Sequence, residues 1–128
     1  MRHAFWIAAS LLVAASPAVA TTTMVCRSTV SPTNGPSLSL VIGEGEAGAI
    51  VQARFALGAT QFETGEGRGV PMIGQAWVDR FTMRLDIIDA NADSRLVRLD
   101  TRRRVGSDYL GILIHAGRTW RVRCSEEG

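Results

Sequence analysis

The chain has 128 residues, fourteen basic against twelve acidic, so its formal net charge of +2 is close to balance. That near-balance gives no support to nucleic-acid binding, and no nucleic-acid partner is expected. With 46% hydrophobic residues the chain can bury a core and is too apolar for a disordered tail. Its length bounds it to one domain.

Residues 1–20 have the layout of a secretory signal. Met1-Arg2-His3 supplies a positive start, Ala4 to Ala15 form an uncharged apolar stretch, and Ser16-Pro17 breaks it. Ala18-Val19-Ala20 then gives the small-x-small pattern that signal peptidase reads. The apolar stretch is shorter than the ~20 residues that a membrane-spanning helix needs. Thr23-Met24-Val25 before Cys26 is not a lipobox, which asks for a small residue directly before the cysteine. Cleavage after Ala20 is the expectation: a signal over 1–20, a single β-domain over 21–128, and a periplasmic or secreted location with no transmembrane segment left in the mature form. The remaining thirteen basic residues are all arginine, and the net charge falls to +1.

Cys26 and Cys124 lie near opposite ends of this mature chain. In an exported protein an even cysteine count reads as disulfide bonding, and a redox-active pair would prefer Cys-x-x-Cys spacing. One bridge is predicted, tying the first strand to the last.

Short apolar and β-branched runs separated by Gly, Pro, Asn and Asp predict antiparallel β-structure throughout. In chain order the strands are Met24–Val30, Leu38–Ile42, Ala49–Leu57, Gln75–Ile88, Leu96–Thr101, Leu110–His115 and Thr119–Cys124. Ser31 to Pro36, Gly43 to Gly48 and Gly65 to Pro71 are loops. Neither glycine-rich one ends in Gly-Lys-Ser/Thr or leads into a helical pattern, so they are not phosphate cradles. Ala116-Gly117 is a tight hairpin signal. After it, Trp120, Val122 and Cys124 share one face, with Thr119, Arg121 and Arg123 on the other. The fold class predicted is all-β: a small antiparallel barrel, or failing that a sandwich, of about seven strands closed by one disulfide.

Motifs for chemistry are sparse, and no catalytic, cofactor-binding or metal-binding residue is assigned. His115, the sole histidine after residue 20, falls at a predicted hairpin tip as a solvated residue without a Gly-x-Ser-x-Gly partner. Asp89, Asn91 and Asp93 alternate like the start of a calcium loop but lack its glycine and terminal glutamate. The aromatic residues Phe55, Phe62, Trp77, Phe81, Tyr109 and Trp120 are expected to be the bulk of the core.

The most conspicuous polar feature is arginine. Arg84, Arg98, Arg121 and Arg123 on outward positions, with the run Arg102-Arg103-Arg104, make a candidate anion-binding surface, because arginine suits planar phosphate and carboxylate groups. Asp86 and Asp100 on the same side would neutralise part of it.

The function expected is a small exported, non-enzymatic binding module of the bacterial envelope, its partner an envelope protein or an anionic lipid or glycan. One alternative is a glycan-acting enzyme with Asp79 as an inward general acid beside Trp77 and Phe81. The other is a lysozyme-inhibitor-like protein. Exported barrels of that kind are similar in size, signal and disulfide, but their Ser-Gly-x-x-Tyr and Trp-x-Lys-Gly loop segments are absent here.

Overall fold

The computed structural model describes residues 21–43, 49–103 and 106–127; the expected signal segment, most of the Gly43 to Gly48 loop and Arg104 lie outside them. Among the described residues nine strands follow one another without a helix: β1 (Thr21–Ser28), β2 (Ser37–Gly43), β3 (Ala49–Leu57), β4 (Thr60–Glu63), β5 (Met72–Val78), β6 (Thr82–Ile88), β7 (Arg95–Arg103), β8 (Tyr109–His115) and β9 (Arg118–Glu126). No helix among the described residues is long and apolar enough to cross a membrane.

All neighbours are antiparallel, in the order β4-β3-β2-β1-β9-β8-β7-β6-β5. The chain therefore makes a four-strand meander and a five-strand meander, joined edge to edge through its first and last strands. This sheet curls into a half-barrel. Its inner face carries Leu38, Leu40, Phe55, Met83, Leu85, Ile87, Val97, Leu99, Leu113 and Val122, all essentially without solvent contact. Strict alternation along β2, β6 and β7 puts every second side chain into that core, which is what period-two patterning requires. Across the interior the Phe55 ring meets the His115 ring at 4.6 Å and Phe62 at 5.0 Å.

The seven expected strands become nine for two reasons. β4 was not foreseen, because Thr60–Glu63 offers a single apolar side chain, Phe62, to the core. Gly58, at φ 58°, supplies the left-handed residue that turns β3 into it. The expected strand Gln75–Ile88 is in fact a hairpin, β5 and β6, reversing at Asp79 to Phe81. Sheet closure also differs. β1 and β9 lie in the middle of the sheet, not at a barrel seam, and the open side runs between β3–β4 and β5, where β3 approaches β5.

Cys26 and Cys124 are direct register partners on β1 and β9, with Cα atoms 3.9 Å apart and a bridge between their sulfurs. Both are fully buried, on the same inner face as Val122. The disulfide thus fastens the two meanders along the line where they join.

The Ala116-Gly117 hairpin forms as expected, with φ of 49° and 74° at its two residues. His115 beside it is not a solvated tip. It is half-buried, its ring packed on Phe55, and Nδ1 lies 2.8 Å from the Leu96 carbonyl. Since a carbonyl only accepts, the proton belongs on Nδ1. Asp89, Asn91 and Asp93 occupy a loop in which the Asp89 carboxylate accepts from the Asp93 N–H at 2.8 Å and the Ser94 hydroxyl at 3.0 Å. These bonds hold its carboxyl below the ordinary carboxylate range. Among the described residues no group of three or more His, Cys, Asp or Glu is placed to hold a metal ion.

Candidate functional site

The β5–β6 hairpin is the place where a well-made local structure presents side chains that the core does not need. Pairing Val78 with Met83 and Trp77 with Arg84 reverses the inward–outward parity expected of one continuous strand. Met83 and Leu85 stay inside, so Trp77 goes to the outer face. Trp77 is 61% exposed and Phe81 64%, contrary to the core role expected for both. Phe55 and Tyr109 do lie in the core, and Phe62 and Trp120 pack against it.

Asp79 organises this turn. Its Oδ1 accepts from the Phe81 and Thr82 backbone N–H groups at 2.7 Å each and from the Thr82 hydroxyl at 3.2 Å. Its Oδ2 accepts from the Trp77 indole N–H at 2.8 Å. The Asp79 backbone N–H donates to the Thr82 carbonyl at 2.9 Å, closing the turn. From beneath, the Tyr109 hydroxyl donates to the Asp79 carbonyl at 2.6 Å, and the Arg103 backbone N–H to the Phe81 carbonyl at 2.8 Å. Trp77 and the turn are therefore oriented by bonds on both sides.

The same bonds, the Trp77 donor first and the backbone donors next, lower the Asp79 pKa from 3.8 to about 2. Asp79 is thus neither inward-facing nor protonated at neutral pH, the reverse of what a general acid requires. A carboxyl whose folded pKa is depressed stabilises the fold fully above its unfolded value, and that contribution is lost as pH falls through the folded one. The turn is expected to loosen between pH 4 and pH 2, with the Trp77 indole N–H resonance reporting it by NMR. In Asp79→Asn that pH dependence should vanish, because a carboxamide does not ionise in this range.

Next to the turn, a groove of about 600 Å³ runs along the outer face of β5, β6 and β7, lined by Gly74, Gln75, Ala76, Trp77, Thr82, Arg84, Asp86 and Arg98. A bulge between Ile73 and Ala76 distorts β5 here, and Gly74 leaves that wall without a side chain. Arg84 stands opposite Asp100 and bonds it through Nε at 3.2 Å. Asp86 stands opposite Arg98, whose Nε is 4.0 Å away, while Arg95 Nη1 comes within 3.9 Å of its other oxygen.

The arginines singled out from the sequence are thereby divided. Arg84 and Arg98 line the groove and Arg102 follows on the same face, opposite Thr82. Arg121 and Arg123 are exposed on β9, separated from β7 by the outward Leu110 and Ile112 of β8, and Arg123 pairs with Asp108 at 3.7 Å. Arg103 turns away, half-buried, its guanidinium 4.7 Å over the Tyr109 ring. Arg104 lies outside the described residues.

The missed element is the Trp77-Val78-Asp79-Arg80-Phe81 turn. Two features signal it: a fourteen-residue run is long for a strand, and a continuous strand would bury Asp79 between two aromatics. Compared with protein-family models, characterised proteins and solved structures, the chain matches none.

Proposed function

We propose that this chain is an exported, non-enzymatic binding module of the bacterial envelope, and that the Trp77–Phe81 turn with its adjoining groove is the binding surface. The observation that carries this is the pair of exposed aromatic side chains on a turn held by Asp79, Tyr109 and Arg103. Single exposed apolar residues are ordinary. Two aromatics beside Arg80, on a preorganised turn, have the composition of a binding hot spot and give up little conformational entropy on contact. The export assignment rests on the signal-like layout of residues 1–20 and on the Cys26–Cys124 bridge, a bond that persists in oxidising compartments. The ionised, fourfold hydrogen-bonded carboxylate of Asp79 weighs against the glycan-hydrolase alternative.

Trp77→Ala/Phe81→Ala is the test. Its melting temperature should stay within a few degrees of wild type, since exposed substitutions change stability by roughly 0.5 kcal/mol or less. Immobilised wild-type protein should retain components of an envelope extract that the variant does not. Equal retention by both proteins overturns the reading.

A further inference from the structure

The groove floor is a lattice of arginine and aspartate, and the way the arginines are held identifies a ligand chemistry. Arg84 engages Asp100 through Nε, and Arg98 faces Asp86 through Nε. Among the described residues no hydrogen bond or ion pair takes the Nη atoms of Arg84 or Arg98, nor any side-chain nitrogen of Arg102. A guanidinium has five N–H donors in a planar fork. The Nε bond orients the Arg84 fork and leaves its terminal donors for something else, and Arg98, paired with Asp86 only at 4.0 Å, keeps its own donors as well. Of the charged residues that line the groove, Arg84 and Arg98 outnumber Asp86, so the lining has excess positive charge.

Trp77 forms the wall opposite Arg84 in the strand register, its indole plane set by Asp79. An exposed indole offers an apolar π-face of fixed orientation. Free phosphate has no apolar face to lay against it, and a flat bilayer does not enter a groove. A neutral sugar would stack on the indole but leave the surplus guanidinium charge unmatched. A sugar ring bearing a carboxylate answers both features: its C–H face lies on Trp77 and its carboxylate accepts from the Arg98 or Arg84 fork.

We infer that the groove binds an acidic glycan, with Trp77 stacking a hexuronic acid ring and Arg84 and Arg98 donating hydrogen bonds to its carboxylate. This rests on the binding-module reading above and names the ligand class of that surface.

The test titrates the oxidised protein with tetragalacturonate, its fully methyl-esterified counterpart and phosphatidylglycerol vesicles by calorimetry, with the Trp77 indole resonance followed in every form that keeps that residue. Tetragalacturonate should bind at least tenfold more tightly than the ester and more tightly than the vesicles. Arg98→Gln and Trp77→Ala should each weaken it about tenfold or more, and the ester should be insensitive to Arg98→Gln. Arg121→Gln, on β9, should leave binding unchanged. Equal affinity for acid and ester, preference for vesicles, an equal loss in Arg121→Gln, or no binding of the acid overturns the inference. If tetragalacturonate fails while Trp77-dependent capture from envelope extract persists, the ligand class is wrong and the binding surface stands. If both fail, both readings fall.

Discussion

Replacing Cys26 and Cys124 together by alanine is expected to lower stability by about 4 kcal/mol, seen as a fall of about 15 °C in melting temperature. The bridge closes a loop spanning 98 positions, close to the whole described chain. In the chain-entropy description a loop of ~100 residues is worth about 4.7 kcal/mol, and measured values commonly fall somewhat below. Its place in the sheet adds to this. The two meanders share one pair of adjoining strands, β1 and β9, and the bridge lies within that pair. Both sulfurs are buried among core side chains, so truncation also leaves a void. Thermal unfolding of the variant, beside wild type with and without reductant, checks this. An unchanged midpoint would mean that the strand pairing alone holds the halves.

The second large effect is expected at Gly111 on β8. A Cβ placed there would lie 2.0 Å from the Asp100 carbonyl oxygen, 2.6 Å from the Thr101 Cα and 2.9 Å from the Asp100 carbonyl carbon. All three are backbone atoms of β7, so no rotamer change relieves the overlap. Gly111 pairs with Thr101 on one side and Val122 on the other, in a strand flanked on both edges. Accommodating a side chain requires β8 to move away from β7, loosening the layer that holds Leu99 and Leu113. Overpacking usually costs 1–3 kcal/mol where side chains can yield. With backbone on the far side, Gly111→Ala should cost about 3 kcal/mol or exceed it, and Gly111→Val should prevent folding. Urea midpoints of the alanine variant measure this. A loss below 1 kcal/mol would show that the two strands separate easily.

Where local chemistry decides structure, the sequence was readable. Alternation in Arg118 to Cys124 places Trp120, Val122 and Cys124 inside, and the Ala116-Gly117 turn forms where glycine permits positive φ. The cysteine spacing pointed to the bridge that the structure contains. What was not readable depends on long-range placement. Whether Trp77 faces in or out turns on the reversal at Asp79 and on which residue Val78 pairs with, and no local pattern at Trp77 states it. Periodicity cannot distinguish a long strand from a tight hairpin whose two arms are both apolar. The same holds for β1 and β9. A bridge between terminal strands is equally consistent with a seam and with the centre of a sheet, and only the strand order distinguishes them. For the arginines, sequence alternation gave the outward face but not the fact that β8 separates the β9 pair from the groove.

The most direct measurement is to follow the indole N–H resonances of Trp77 and Trp120 while adding envelope extract. Trp77 is exposed beside the groove, and Trp120 is packed against the core with Arg118 4.8 Å over its ring. The expected result is a saturable shift or broadening of Trp77 that Phe81→Ala diminishes, with Trp120 unmoved. No change at Trp77, or an equal change at Trp120, would contradict a binding surface on the β5–β6 turn.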